Sequence, residues 1–312
     1  MNKKVREVLR TVFYPLVLIR RAYIRKRNAK WAEENPKALA NYFYKSMSGR
    51  DINWEHPLDL SEKINWMKFH SDTTLWTKYA DKYLVREYVE KQGLSDILVK
   101  LYGVWEHAED IDFDTLPNKF VLKSNHACGT VMIVKDKSKL DINKTREILN
   151  NWLTMKIGKD TAEPHYLSIK PLLMAEEYLE SEDVNGLIDY KLFTVHGNTE
   201  LVMVCSERVI GTSAQISLYD TDWNFSLQKL DVTYQKKAPT KIPKPTRFEE
   251  MKKYAAILAK DFPFVRMDFY EVNGKVYFGE MTFTPKGGYC STLSSEEQLR
   301  IGKLITLPQP IK

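Results

Sequence analysis

The sequence lacks paired cysteines and histidine motifs, and these absences argue against disulfide bonds and against cysteine- or histidine-ligated metal sites. The 312 residues include only three cysteines, Cys128, Cys205 and Cys290, which are far apart and form no CxxC pair. Neither a disulfide framework nor a cysteine-ligated zinc site is therefore predicted, and a reducing cytoplasm fits best. The six histidines show no HExxH or HxH spacing, which argues against a histidine-ligated transition metal.

Two common nucleotide-binding signatures are also missing. The chain contains neither GxxxxGK[ST] nor GxGxxG, so P-loop and Rossmann folds are not expected. The sequence shows no internal repeat and no low-complexity segment. What remains is a globular composition, 43% hydrophobic, in a chain long enough for two or three subdomains.

Positive charge is concentrated at the start of the chain. Residues 1–30 hold ten Lys and Arg against one Glu, while the whole chain has a net charge of +6. The remaining residues therefore carry a net charge of −3. A nucleic-acid-binding enzyme would usually spread basic charge over its body, so no nucleic-acid partner is predicted. The basic segment instead predicts contact with an anionic surface.

The basic segment also has the apolar periodicity of an amphipathic helix. Its apolar run, residues 12–19, is too short to span a bilayer, which needs about 20 apolar residues, and Pro15 is expected to kink the helix. A signal peptide is disfavoured because basic residues flank both ends of the run. We predict an arm that lies peripherally on the inner face of the plasma membrane. The alternative is an ordinary helix packed on the protein's own core.

Local signals predict mostly helices before residue 118, with a short strand-like segment at residues 96–104. Asn35 followed by Pro36 is typical of a helix start, and that helix would end near Gly49. Residues 211–246 are polar and contain prolines, so they are predicted to form a long loop with a short strand or two. Helix is predicted to return at residues 247–260.

Residues 120–134 predict a strand, a small-residue loop and a return strand. Lys123 ends the first strand, and the loop contains His126 and Gly129. Such a pair of strands suits phosphate binding, because the lysine supplies charge and the loop amides supply hydrogen bonds.

Residues 264–288 carry the strongest indication of a site. Alternating apolar and polar residues flank an Asn-Gly pair, which predicts a hairpin with a type I′ turn. Asp268 and Glu280 lie at matching distances from the turn and are expected roughly opposite each other. Mg²⁺ is the natural cation between them, because phosphates can supply its other ligands. The alternative is an exposed hairpin face on which Arg266 simply pairs with the carboxylates.

Four pieces of the chain resemble, in order, parts of the ATP-grasp superfamily. Residues 81–86 look like its entry helix, 120–134 like its lid, 174–179 like its hinge strand, and 264–288 like its metal-binding hairpin. Longer stretches, among them LPNKFVLKSNHACGT and VYFGEMTFTPKGG, resemble the TupA-like branch, which is associated with teichuronopeptide and other bacterial surface polysaccharides. The resemblance covers most of residues 35–288.

The resemblance implies an α+β ATP-grasp fold, in which two α+β subdomains grip ATP after an N-terminal helical region. It divides the chain into four parts: residues 1–30 as the basic amphipathic membrane-facing arm, 31–118 as the helical region, 119–175 as the lid subdomain and 176–312 as the core subdomain.

The resemblance also implies roles for individual side chains, with ATP and Mg²⁺ as cofactors. Arg266 and Lys123 are the implied catalytic cations. The implied ATP contacts are Arg86, Lys123, Gly129, Glu176, Glu177, Leu179, Asp189 and Lys191. The implied metal ligands are Asp268, Glu280 and Thr282, although the family usually has Asn at the position of Thr282. His126 and Lys286 are the expected substrate contacts.

The implied reaction is a carboxylate–amine ligation in which ATP first phosphorylates the carboxylate. The expected partners are a carboxylate-bearing sugar or glycan and an amine. One alternative is a glycosyltransferase, although the chain's Asp-x-Asp, formed by Asp112 and Asp114, lies in a polar loop that is poorly placed for it. The other is a non-catalytic nucleotide-binding scaffold, which Thr282 keeps open.

Overall fold

Helices dominate the first third of the chain and strands mix with helices after it, which confirms the predicted α+β class. The computed structural model describes residues 3–181, 186–209 and 213–311, without the side chains of residues 3–16, 208, 209 and 213. The α-helices of this part are α1 (Lys3–Glu34), α2 (Pro36–Ser48), α3 (Leu60–His70), α4 (Thr74–Ala80), α5 (Leu84–Lys91), α6 (Ile142–Leu153), α7 (Pro164–Leu167), α8 (Val232–Gln235), α9 (Phe248–Ala259) and α10 (Ser295–Leu304). Its strands are β1 (Leu101–Trp105), β2 (Phe120–Ser124), β3 (Val131–Val134), β4 (Leu173–Glu177), β5 (Asp189–Val195), β6 (Asn198–Val209), β7 (Ser213–Tyr219), β8 (Phe264–Val272) and β9 (Lys275–Thr282).

Helix α2 begins and ends where the sequence predicts. The Asn35 side chain accepts a hydrogen bond from the backbone N–H of Ala38 at 2.9 Å, and Pro36 occupies the first turn. Gly49 adopts a left-handed conformation with φ of 77°, and its N–H bonds to the carbonyl of Lys45. Both ends follow from local chemistry, because the cap satisfies free N–H groups and glycine tolerates positive φ.

Among its described side chains, residues 17–34, helix α1 packs on the protein near its end. Asn28 is buried, and the ring of Trp31 lies 5.4 Å from that of Tyr42 on α2. Residues 17–27 are exposed, apart from the half-buried Ile24. Among the described residues, no helix is both long and apolar enough to cross a membrane. The alternative of a helix packed on the core therefore fits the last turns of α1, and the arm's contact with a membrane stays a prediction.

The first sheet has the strand order β1-β4-β2-β3, with antiparallel neighbours throughout. Phe120, Leu122 and Leu173 are completely buried in its core, together with Leu149 and Trp152 of α6. The sheet takes β1 from the region predicted as helical, and β4 straddles the predicted boundary at residue 176. The first sheet therefore includes residues on both sides of the predicted lid subdomain, 119–175. The four-part division stays a prediction.

The second sheet has the antiparallel order β7-β6-β5-β8-β9. Helix α9 packs on β5, β6 and β8, and its buried residues are Phe248, Met251, Ala255, Leu258 and Ala259. Strand β7 corrects the sequence prediction of a long loop from residue 211. This strand pairs with β6 and mixes polar with apolar residues, and Ser217 bonds with the carbonyl of Thr240. Residues 213–218 alternate polar and apolar residues strictly, which is the pattern of a half-buried strand, so the sequence carried this signal and the loop prediction overlooked it.

Candidate active site

The two hairpin carboxylates face each other because β9 contains one extra residue. The turn residues Asn273 and Gly274 both have positive φ, 52° and 72°, as a type I′ turn requires. Counting back from this turn, a regular ladder would pair Asp268 with Gly279, but a register shift pairs Asp268 with Glu280. A Cβ at Gly279 would lie 2.9 Å from the Asp268 carbonyl oxygen, so this β-bulge needs glycine. Without it, Glu280 would point to the opposite face of the sheet.

Arg266 joins the three side chains that the sequence assigns to the metal. Its Nε donates to Asp268 Oδ1 at 2.7 Å. Its Nη2 donates to Asp268 Oδ2 at 2.7 Å, to Glu280 Oε1 at 3.1 Å and to Thr282 Oγ1 at 3.0 Å. The four side chains therefore converge on one point, which Arg266 Nη2 marks.

Lys191 completes this group, which we call the hairpin cluster: Lys191, Arg266, Asp268, Glu280 and Thr282. Lys191 lies opposite Asp268 in the β5–β8 pairing and donates to its Oδ2. Its Nζ also lies 3.8 Å from the carboxylate of Asp189. Arg266 and Asp268 have side chains that are only 12% and 2% exposed, so the alternative of an exposed hairpin face is wrong, although the ion pairs themselves are present.

The charges of the hairpin cluster reinforce one another. Burial raises the pKa of Glu280, but the positive charges of Lys82, Arg266 and Lys191 outweigh this effect and hold the pKa at about 2. Burial lowers the pKa of Lys191, but Asp268 and Asp189 outweigh this effect and raise it overall. Glu280 is therefore an anion and Lys191 a cation at neutral pH.

The donor set of the hairpin cluster fits Mg²⁺. This ion takes oxygen ligands and is commonly held by one or two protein carboxylates, with water and substrate phosphates supplying the rest. Asp268 and Glu280 supply two carboxylates, and the Thr282 hydroxyl lies 3.1 Å from Glu280 Oε1. In the described part of the chain, no group of three or more His, Cys, Asp or Glu side chains could hold a metal by itself. The two carboxylates of the hairpin cluster therefore suit an ion whose remaining oxygen ligands come from a phosphate and water.

A second charged group lies in the first sheet, and we call it the lid cluster: Arg86, Lys123 and Glu176. Glu176 is buried and forms ion pairs with Lys123 through Oε2 and with Arg86 through Oε1, the latter at 3.5 Å. Arg86 also donates to the carbonyl of Val99 at 2.9 Å. The Glu176 side chain therefore positions two cations, and its implied contact with ATP stays a prediction. Glu177 and Leu179 follow it and are half-buried.

The loop between β2 and β3 is fixed at its base and exposed at its tip. Asn125 donates to Asp81 Oδ2 at 2.9 Å and accepts from the N–H of Leu172 at 2.7 Å. At the tip, Gly129 is exposed and has a φ of +78°. The tip is thus the part of this loop that can offer free backbone amides to a phosphate.

Lys82 connects the lid loop with the hairpin cluster, and the sequence assigned it no role. Its Nζ donates to the carbonyl of Ala127 at 2.9 Å and lies 4.0 Å from Glu280 Oε2. The signal in the sequence was the position of Lys82 next to Asp81. The Asp81 carboxylate accepts hydrogen bonds from the N–H groups of Tyr83 and Leu84 and so caps the start of α5. Asp81 thereby places Lys82 between the lid loop and the hairpin cluster.

The two predicted substrate residues lie in different places. His126 is buried, and its Nε2 lies 3.1 Å from the carbonyl oxygen of Met155. Burial lowers its pKa. Lys286 is exposed, and its ammonium bonds with the hydroxyl of Tyr234 on α8. The structure therefore does not bring Lys286 together with His126.

His126 lines a cavity of about 750 Å³. Its other walls come from the end of α1, the start of α2, Phe69 of α3 and residues 153–171. Most lining side chains are apolar, but Glu163 is among them. No sequence pattern marks Glu163, because it is a single acid in a loop between α6 and α7.

Comparison with protein families gives one match, which covers most of the chain. The TupA-like ATPgrasp family matches residues 62–306. No curated protein sequence matches the chain. The matched region contains the lid cluster, the hairpin cluster, Lys82 and Glu163.

Solved structures with weak similarity include two ligases and a synthase. A D-alanine–D-alanine ligase from Bacillus anthracis is 14% identical, with 79% of this chain and 67% of that chain covered and a TM-score of 0.43. An N5-carboxyaminoimidazole synthase from Aspergillus clavatus is 11% identical, with 78% and 57% covered and a TM-score of 0.42. A phosphoribosylamine–glycine ligase from Thermotoga maritima is 13% identical, with 71% and 52% covered and a TM-score of 0.40. The chain thus spans between about half and two thirds of the length of these proteins.

Proposed function

The chain belongs to the TupA-like ATP-grasp family and is thereby an ATP-dependent ligase, and from this premise we propose that it joins a carboxylate to an amine through an acyl phosphate. Family membership also confirms the ATP-grasp fold predicted from the sequence. More narrowly, we infer that the carboxylate belongs to a sugar acid of a bacterial surface polysaccharide and that the amine comes from an amino acid or a similar compound. The support for this narrower inference is the TupA-like branch itself.

The convergence of Asp268, Glu280 and Thr282 on one point is the observation that carries the proposal. Two opposed carboxylates beside an arginine suit a nucleotide's phosphates, because a divalent ion can bridge the acids and the phosphate oxygens. Bound Mg²⁺ would neutralise part of the triphosphate charge and so favour transfer of the terminal phosphoryl group. Asp268 and Glu280 would hold it, with the Thr282 hydroxyl as a further oxygen donor.

The remaining cations act on the phosphates. Lys123 and Arg86, held by Glu176, bind phosphate oxygens, and the exposed amides around Gly129 cover them. Arg266 exchanges its bonds to the carboxylates for bonds to the transferred phosphoryl group and offsets its charge. The substrate carboxylate attacks the terminal phosphorus and ADP leaves. The amine nitrogen then attacks the acyl carbon, phosphate leaves and the nitrogen loses its proton.

The exposed part of α1 suits an anionic membrane surface. Val17, Leu18, Ile19 and Tyr23 are exposed large apolar residues, and Arg20, Arg21 and Arg25 lie beside them in the sequence. We propose that this arm, residues 1–30, holds the enzyme peripherally on the inner face of the plasma membrane, where a lipid-linked glycan would be accessible. Sedimentation with vesicles rich in phosphatidylglycerol tests this. The protein should pellet with them at low salt, and equal binding to neutral phosphatidylcholine vesicles would refute the electrostatic part of the proposal.

Two other functions have less support. A glycosyltransferase would need its Asp-x-Asp pair near a metal, whereas Asp112 and Asp114 are both exposed, and Asp112 Oδ1 accepts from the Asp114 N–H at 3.0 Å as a local cap. The non-catalytic scaffold rests only on Thr282, which stands where the family usually has Asn, and membership of a ligase family argues against it.

Nucleotide release separates these functions. The experiment measures ADP release from ATP with Mg²⁺, using glucuronate-containing oligosaccharides and amino acids as a panel. We expect ADP only when both a uronic acid and an amine are present. UDP release from a UDP-sugar would support the glycosyltransferase, and ATP binding without turnover across the panel would support the scaffold. The Arg266→Lys variant should lose turnover, because lysine cannot replace the fork of the guanidinium.

A further inference from the structure

Glu163 is a buried carboxylate without an ion pair. It is 8% exposed, and its Oε1 accepts from the Thr284 hydroxyl at 2.5 Å while its Oε2 accepts from the Thr161 hydroxyl at 2.6 Å. Throughout the described part of the chain, no lysine, arginine or histidine nitrogen lies within 4.0 Å of it. Buried charges in proteins are normally paired. A carboxylate left with two neutral donors therefore has capacity for a cation, and each oxygen can accept a further hydrogen bond.

Glu163 also lies close to the hairpin cluster. Its partner Thr284 is two residues beyond Thr282 in the same chain segment. Thr282 itself lies 3.1 Å from Glu280 Oε1 through its hydroxyl, so this short segment contacts Glu163 at one residue and the hairpin cluster at the other. A group bound to Glu163 would therefore be close to the proposed metal ligands.

The cavity that Glu163 lines is otherwise mainly apolar. Its walls include Phe69, Leu153, Ile157, Leu167 and Ile169, with His126 on the side of the lid loop. Its volume of about 750 Å³ is ample for a small organic molecule. The cavity therefore combines apolar walls with one unpaired negative charge.

The lysines around the cavity do not fill this role. Lys159 pairs with Glu33 at 2.8 Å, and Lys156 also adds its positive field at Glu33. Lys68 is buried and donates to the carbonyl of Gly287 at 3.1 Å. Burial lowers the pKa of Lys68, and the negative charge of Glu163 partly opposes this effect. The Lys68 ammonium is nevertheless not within ion-pair distance of Glu163.

We propose that this cavity binds the amine substrate, with its ammonium group on Glu163 and an apolar body against the cavity walls. The inference rests on the proposed function, because it names the amine that the ligation consumes: this amine binds as an ammonium with an apolar substituent and passes one proton to the Glu163 carboxylate before its nitrogen attacks the acyl carbon. It also gives His126 a place beside the bound substrate. Lys286, which lies outside the cavity, has no part in it.

Three probes of similar size test the proposal on the full chain without ATP. Hexylamine carries a positive charge, hexanol none and hexanoate a negative charge, and isothermal titration calorimetry measures the affinity for each. We expect hexylamine to bind at least tenfold more tightly than hexanol, and hexanoate to bind most weakly. Equal affinities for hexylamine and hexanol would overturn the proposal, and this comparison in the unmodified protein needs no variant to fold.

Matched variants then locate the charge. Glu163→Gln should remove the preference for hexylamine, whereas Glu33→Gln, at another glutamate of the same cavity, should keep it because Glu33 is already paired with Lys159. A preference that survives Glu163→Gln, in a variant shown to be folded by circular dichroism, would overturn the assignment.

The two proposals fail in different ways. If ADP release requires an amine but hexylamine binding ignores Glu163, the ligase stands and the cavity assignment is overturned. If hexylamine binds through Glu163 but no combination of acid and amine releases ADP, the amine site stands and the ligase proposal falls.

Discussion

Two sets of buried carboxylates in this protein differ in how their charge is balanced. In the hairpin cluster, Asp268 is bonded by both Arg266 and Lys191. In the cavity, the hydrogen bonds that Glu163 accepts from described residues come from two hydroxyl groups. The first set is balanced by the protein's own cations, so a metal must take their place when it binds. The second is not balanced in this way, so a cationic ligand can supply the missing charge.

Removal of one acid from each set should change the free energy of unfolding by very different amounts. Asp268→Asn leaves Arg266 and Lys191 buried without their carboxylate, and should lower the free energy of unfolding by about 3–5 kcal/mol. Glu163→Gln should change it by less than about 1 kcal/mol, because the amide can still bond with both hydroxyls. Urea denaturation of the two variants measures both values. Equal losses would show that the two acids are balanced in the same way.

Lys68 sharpens the comparison because it is a buried cation that also lacks an ion pair within the described residues. Burial lowers its pKa to about 8, and Glu163 only partly opposes this effect. The unfolded chain therefore binds more protons than the folded one between about pH 8 and pH 10.5, and stability attributable to Lys68 rises with pH over this window.

The Lys68→Met variant isolates this contribution. Relative to the variant, the unmodified protein should gain on the order of 3 kcal/mol in unfolding free energy between pH 8 and pH 10.5. The difference between the two denaturation curves, measured at several pH values, removes the effects of other titrating groups. A difference that stays constant with pH would contradict the lowered pKa and the unpaired state of Lys68.

The smallest expected loss concerns the bulge that brings the paired acids together. A Cβ at residue 279 would lie 2.9 Å from the Asp268 carbonyl, so Gly279→Ala should cost about 1–3 kcal/mol. The control is Gly274→Asn in the turn of the same hairpin, where no atom lies within 4 Å of an added Cβ and Asn tolerates positive φ. If Gly279→Ala melts like the unmodified protein, the bulge is not what holds the register.

The hairpin was predictable because its signals are local. Alternating residues and the Asn-Gly turn fix the strands, and the equal spacing of the acids suggested that they face each other. The physical reason was incomplete. A regular ladder counted from the turn pairs Asp268 with Gly279 and places Glu280 on the opposite face of the sheet, and only the extra residue at Gly279 brings Glu280 opposite Asp268. A period of two cannot reveal a bulge in advance.

The residues that sequence reasoning missed depend on contacts between distant segments. Lys82 lies near Glu280 across 198 positions of the chain, and Glu163 is bonded to Thr284 across 121. Glu163 belongs to no local pattern, and Lys82 is marked only by its position next to Asp81, so the contacts of both appear only in the folded protein. The role of Glu176 was likewise hidden, because the sequence placed it near ATP without showing that it binds Lys123 and Arg86.

Metal binding tests the central claim most directly, namely that Asp268 and Glu280 together hold a divalent ion for the phosphates of ATP. Electron paramagnetic resonance can follow Mn²⁺ in place of Mg²⁺, with and without a non-hydrolysable ATP analogue. We predict that the analogue tightens Mn²⁺ binding, and that Glu280→Gln weakens this nucleotide-dependent binding at least tenfold while Asp112→Asn leaves it unchanged. Undiminished Mn²⁺ binding in the Glu280→Gln variant would contradict the claim.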